Sequence, residues 1–243
     1  MSSARAAGAA ALLVLSLSAC ESTQDKSARL KAQGAKAFKD AKGVSISRRA
    51  QGVTIVKRAV ITDPNGTAVA LVLRNTGKAP LPAAPITIDV RGAGKKSLFK
   101  NDSPGLETSL TSVASLAPGQ ETLWVNDQVT PAGRARTVKV EVGAPKAAKQ
   151  ISGALPEIAL EDVKIRQDPS SGTEVVGFAR LKAGVAQKSL IVSCVGRKGG
   201  RIVAAGRAEI PLLTAKKHRP FHIFPIGPLK GAQLSVSAPP TVL

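Results

Sequence analysis

Cysteine, aromatic side chains, histidine and acidic groups are all scarce in this chain. Two cysteines, Cys20 and Cys194, stand in 243 residues, so the folded part must be held by its hydrophobic core and not by a disulfide framework. There is no Tyr, one Trp and five Phe, too few stacking side chains for a nucleic-acid surface interleaved with basic residues. The two histidines, His218 and His222, are four residues apart, but Pro220 between them opposes a helix. In a strand they sit ~13 Å apart. With no third ligand nearby in the sequence, a metal site is not expected. No Gly-x-Ser-x-Gly elbow is present, and two histidines in one strand do not supply a nucleophile with its base. Glu161 and Asp162 are adjacent, so on a strand they face opposite ways and make no catalytic pair. "GAGKKS", residues 92–97, lacks the Gly-x4-Gly-Lys spacing of a phosphate loop and reads as a glycine hairpin. No cofactor is expected, and the chain is not read as an enzyme.

What is present begins with an address. Arg5 gives a positive start, and Ala6 to Leu17 form an apolar run that includes Leu12, Leu13, Val14 and Leu15. The run is shorter than the ~20 residues that span a bilayer comfortably. The small residues Ser18 and Ala19 follow it, and then Cys20, the order of an export signal. Leu17-Ser18-Ala19-Cys20 resembles the lipobox of bacterial lipoproteins. That resemblance implies a signal peptide over residues 1–19, cleavage between Ala19 and Cys20, a diacylglyceryl group on the Cys20 sulfur and a fatty acyl chain such as palmitate on the new amine. It implies a protein attached to the cell membrane on its extracytoplasmic face, since two chains suffice for stable anchoring. Cys194, in "LIVSCV", is left as a small buried apolar residue.

Lys and Arg number 34 after residue 19, against 16 Asp and Glu, a net charge of +18 spread along the chain. Such a field favours anionic surfaces: lipid headgroups, phosphate-rich wall polymers or acidic partner proteins. With an address outside the cell, nucleic acid is excluded as a partner.

Residues 20–52 are rich in Lys, Ala, Ser and Gln, and Leu30, Gly34, Phe38 and Ala41 recur near helical spacing. They read as a lipid-anchored tether, partly helical or disordered. Beyond them, short runs such as "TAVALVLR", "ITIDV", "ETLWV" and "TVKVEV" alternate with the turns "DPNG", "NTG" and "APGQ", an all-β pattern. In "AVALVL", residues 68–73, no polar face alternates with the apolar one, which predicts a strand buried on both sides or at the centre of a sheet.

The second half repeats the first. "VKRAVITDPNGTAVALVLRNTG" runs beside "LEDVKIRQDPSSGTEVVGFARLKAG", with Asp63-Pro64 matching Asp168-Pro169 and a Gly-Thr opening the next strand in each. "ITIDVRGAG" matches "LIVSCVGRKGG", "LAPGQETLWV" matches "LTAKKHRPFHIF" with Trp124 beside Phe221, and "VKVEVGAP" matches "LSVSAPP". Each unit is about 90 residues with roughly seven strands, the size of an immunoglobulin-like sandwich. The boundaries read as 53–145 for the first β-sandwich domain, 146–153 for a linker and 154–243 for the second. Each is expected to fold alone. The order of elements resembles the small immunoglobulin-like domains of bacterial exported proteins, including the FxLYD type. The matching segments are Leu71 to Gly77, Ile86 to Val90, Gly92 to Gly94 and Leu116 to Gly119. The Phe-x-Leu-Tyr-Asp signature itself is absent.

One basic cluster invites a function. Lys216, Lys217, His218 and Arg219 occupy the turn equivalent to Pro118–Thr122, while Arg197, Lys198 and Arg201 occupy the hairpin equivalent to Gly92–Lys96. Lys216, Lys217, Arg219, Arg197, Lys198 and Arg201 are expected on one side of the second sandwich as an anion-binding surface, with Lys57, Arg58 and Lys139 lying apart from it on strands. The expected function is therefore a non-catalytic, lipid-anchored envelope protein that binds an anionic polymer or partner protein. The alternative is a substrate-binding or accessory lipoprotein of a transporter or envelope enzyme. A deep pocket between the two halves favours the alternative, and smooth sandwiches with a basic face favour the first.

Overall fold

The fold is that of a computed structural model, which describes residues 43–145, 151, 154–168, 172–215 and 217–241. The signal, Cys20, the helical stretch of the tether, most of the linker and Lys216 lie outside the described residues.

The described chain is all-β, as its turn-punctuated pattern predicts. Thirteen strands form four antiparallel sheets. In the first half, β1 (Val53–Asp63), β2 (Gly66–Asn75) and β6 (Glu121–Val129) make one sheet in the order β1-β2-β6. β3 (Ala84–Arg91) pairs with β4 (Ser97–Lys100), with the two-residue β5 (Ser112–Val113) and with β7 (Thr137–Val142) to make the second. A short helix, α1 (Thr108–Thr111), leads into β5. The second half uses the same order. β8 (Glu157–Asp168), β9 (Gly172–Ala183) and β12 (Arg219–Ile223) form β12-β9-β8, and β10 (Gln187–Lys198), β11 (Arg201–Leu213) and β13 (Gln233–Ser237) form β11-β10-β13.

Alternation in the sequence becomes alternation across each sheet. Ile86, Ile88 and Val90 of β3 face Leu71, Leu73 and Trp124 in the first core. Leu190, Val192 and Cys194 of β10 face Val175, Ala179, Phe221 and Ile223 in the second. Trp124 and Phe221 thus hold corresponding places in separate cores. The polar edge of Trp124 is satisfied, because the indole Nε1 donates to the carbonyls of Ser109 and Ser112, each at 3.1 Å.

A third apolar cluster joins the halves. Ile61, Ala68, Ala70, Val72, Leu123 and Val125 project from the far face of β1-β2-β6 and meet Val195, Ala205 and Ile226 of the second half. The four sheets therefore stack in layers, with the sheets β1-β2-β6 and β11-β10-β13 inside and the other two outside. This explains why every residue from Thr67 to Leu73 is buried: β2 is central in its sheet and covered on both faces. The two halves, expected to be self-sufficient, share a core-like contact.

Candidate functional site at the seam

Polar groups close the seam around its apolar centre. Lys57 Nζ donates to the Gly200 carbonyl at 2.6 Å, and the Gly227 N–H donates to Asp63 Oδ2 at 2.8 Å. A side chain at Gly227 is not tolerated: its φ is +95°, and a Cβ there would lie 2.2 Å from the Val203 carbonyl oxygen and 2.8 Å from Ile61 Cγ2. At β6, the Leu123 N–H donates to Ser237 Oγ at 3.0 Å.

Arg207 of β11 is the main clamp. Its side chain is 8 % exposed and reaches into the first half. Nε donates to Asp127 Oδ1 at 3.2 Å, Nη1 to Ser109 Oγ at 2.7 Å and Nη2 to Glu107 Oε2 at 2.7 Å. The Arg207 backbone N–H also donates to Asp127 Oδ2 at 3.2 Å. The guanidinium fork spreads over three acceptors on two elements of the other half, the geometry for which Arg is better suited than Lys. The Arg207 hydrogen bond and charge hold the Glu107 carboxyl below the usual carboxylate range.

Beside this clamp the seam opens into a cavity of about 500 Å³, within the size range of small-molecule sites. It draws on both halves: the α1–β5 segment and β6 on one side, and β10 with the C-terminal segment on the other. Leu123, Trp124, Val125 and Ile191 give it a mainly apolar wall, while Glu107, Lys188 and Glu209 are its charged groups. On β10, Ser189, Ile191 and Ser193 alternate along the seam face, opposite the core-facing Leu190 and Val192. Ser189 has φ +47°, a left-handed conformation that few non-glycine residues adopt outside sites that hold it.

The predicted basic surface is not assembled as expected. Arg197, Lys198 and Arg201 flank the β10–β11 hairpin, where Lys198 pairs with Arg201. Lys217 and Arg219 follow the other end of β11, thirteen residues on, a strand length of roughly 40 Å. Arg219 Nε is turned back onto the Leu212 carbonyl at 3.1 Å. The two groups therefore occupy opposite ends of one long strand and share no surface, and Lys216 lies outside the described residues. Lys57, expected to stand apart, instead touches the hairpin through Gly200. Arg197 donates to Ser235 Oγ at 3.1 Å, and its Nε is buried without a partner.

The histidines do not converge. His218 Nδ1 lies 3.4 Å from Glu161 Oε2, and His222 Nδ1 lies 3.0 Å from Glu174 Oε2. Glu174 is 1 % exposed although it sits on the outer face of the last sheet, beneath Arg166 and His222. Those two groups, His222 first, hold its carboxyl below the usual range. Nothing in the sequence pattern signals this buried ion cluster. Among the described residues no group of three or more His, Cys, Asp and Glu is placed to hold a metal, and no helix is long and apolar enough to cross a membrane. "GAGKKS" forms the β3–β4 hairpin, where Arg91 pairs with Ser97. Cys194 is fully buried, and burial pushes its thiol up to about 12.

Comparison of the chain with protein-family models and with curated proteins finds no match to either.

Proposed function

We propose that this chain is a lipid-anchored, non-catalytic binding protein on the extracytoplasmic face of the cell membrane, which holds a small ligand at the seam between two immunoglobulin-like halves. The observation that carries the reading is the cavity of about 500 Å³ lined by residues of both halves. A pocket at that place is what separates a substrate-binding or accessory lipoprotein from a plain adhesive sandwich. Of the two carboxylates that line the cavity, Glu107 is committed to Arg207 and Glu209 is exposed, so neither is a desolvated acid or base, which favours holding a molecule over transforming it. The attachment to the membrane rests on Leu17-Ser18-Ala19-Cys20.

Two measurements test this reading. Mass spectrometry of the protein purified from membranes should find a small molecule bound in near-equimolar amount, and Ala114→Phe, which fills the cavity, should lose it. Purified protein free of any such molecule contradicts the reading. For the anchor, Cys20→Ala should move the chain from the detergent phase to the aqueous phase. Equal partitioning of mutant and wild type contradicts lipidation.

A second reading is favoured by the contact between Lys57 and Gly200. It gathers Lys57, Lys198 and Arg201 at one end of the seam, a surface suited to an anionic polymer, lipid or partner. Replacing these three by Gln should weaken sedimentation of an unlipidated chain with anionic vesicles, and added salt should do the same. Salt-independent sedimentation contradicts it.

A further inference from the structure

The seam cavity also has a chemical preference, which rests on that cavity being the binding site proposed above. Ser193 is 2 % exposed and lines the cavity, yet its hydroxyl has no hydrogen-bond partner among the described residues, and it is absent from the polar atoms sealed away from any contact. The hydroxyl is thus open to the cavity, where it can bond to water or to a polar group of a ligand. Ser189, four residues earlier on the same face, is exposed, has no side-chain partner in the protein and is held at φ +47°. Thr108, on α1 and exposed, presents a third hydroxyl without a partner in the protein. The other hydroxyls are already engaged: Ser109 by Arg207, Ser112 by the Ala84 carbonyl, Thr122 by the Ser237 hydroxyl, Thr241 by the Lys188 carbonyl.

Between the unpaired hydroxyls the wall is apolar. Ile191 stands between Ser189 and Ser193 on β10, facing Leu123 and Val125 of β6. Four strand residues place the two serines ~13 Å apart with Ile191 midway. None of the charged groups is a free, buried counter-charge: Glu107 is paired with Arg207, which Asp127 shares, and Lys188 and Glu209 are both exposed. An ionised ligand group buried against Leu123, Val125 and Ile191 would be desolvated without a counter-charge, which is strongly unfavourable.

We propose that the cavity binds an uncharged amphiphile, with an apolar chain or ring system lying on Ile191, Leu123 and Val125 and neutral hydroxyl or carbonyl groups bonded to Ser193, Ser189 and Thr108. Trp124 is the single tryptophan of the chain; it packs in the first core with its indole Nε1 on the carbonyls of Ser109 and Ser112, which line the cavity, so its fluorescence senses occupancy. The test titrates the protein with decyl glucoside, decanoate and decyltrimethylammonium, three probes with one chain length and heads of neutral, negative and positive charge, each below its critical micelle concentration. Decyl glucoside should bind about tenfold tighter than either charged probe. Ser193→Ala should weaken it by about fivefold, the equivalent of one ordinary hydrogen bond, and Ala114→Phe should abolish the response with the circular dichroism spectrum unchanged. A charged probe that binds wild type as tightly as the glucoside overturns the ligand class while leaving the cavity as a site. Undiminished binding to Ser193→Ala overturns the role of the hydroxyl. No response of Trp124 to any probe in wild type overturns the site itself.

Discussion

Ala68, Ala70 and Val72 in β2 hold the same steps as Glu174, Val176 and Phe178 in β9, counted from the Gly-Thr that opens each strand. All six face away from their own core. In β2 they are at most 2 % exposed, because the β11-β10-β13 sheet lies on them. In β9 the same face looks out of the stack: Phe178 is 40 % exposed, Val176 is 8 % exposed, and Glu174 is paired with Arg166 and His222. Small apolar residues mark the face that meets another sheet, and a carboxylate under basic cover marks the face that meets water. The strand order is the same in both halves, so the difference comes from what is stacked on each sheet. It extends to the hairpins: β4 has four residues, whereas β11 has thirteen. The longer strand carries Ala205 and Arg207 onto the first half.

The same charge placed at paired positions of β2 and β9 should have the most unequal effects. Val72→Asp buries a carboxylate with no partner in the seam and should cost more than ~3 kcal/mol in urea unfolding. Phe178→Asp at the equivalent exposed step should cost ~1 kcal/mol or less. Equal losses would mean that the seam is not closed in solution. Next in size is Arg207→Ala, which leaves Asp127 and Glu107 without their shared cation. A loss of about 2 kcal/mol is expected, with a weaker response of Trp124 to cavity ligands. A stability unchanged within error would show that Arg207 does not hold the halves together.

A smaller, pH-linked effect follows from the same clamp. The Glu107 carboxyl is held below its ordinary value of 4.5 by Arg207. A depressed folded value stabilises the native state above pH 4.5 and ceases to do so as pH falls through that lower value. The gap in urea midpoint between wild type and Arg207→Ala should therefore narrow between pH 5 and pH 3. A gap that is constant over this range contradicts the linkage. The smallest effect is expected at Cys194, whose buried thiol is raised to about 12. It should react with an aromatic disulfide reagent only as fast as the protein opens, and prompt reaction in the native state would contradict its burial.

Much of the fold is legible in the amino-acid sequence. Alternation in "ITIDV" and in "LIVSCV" predicts which residues face a core, and the Asp-Pro turns with their Gly-Thr sequels predict the repeat. The unbroken apolar run in β2 shows that both its faces are covered. It does not show by what, because burial against a second half and burial within one sandwich leave the same pattern in a strand. The site is less legible for a physical reason. Glu107 and Arg207 are a hundred residues apart, and the cavity is lined by residues of both halves. The one local signal is Ser189-Leu190-Ile191-Val192-Ser193, whose serines fall on the face away from the second core. The basic cluster is misplaced by a reading of the sequence because adjacency to a turn does not state at which end of a strand that turn lies. Thirteen residues of β11 separate the hairpin from the turn that holds Lys217.

If the seam is a core shared by both halves, neither half can unfold without exposing the apolar face of the other. Calorimetric unfolding of the whole chain tests that most directly. One transition is predicted, with calorimetric and van't Hoff enthalpies equal. Two resolved transitions, one of them unmoved by Val72→Asp, would show two independent sandwiches and contradict it.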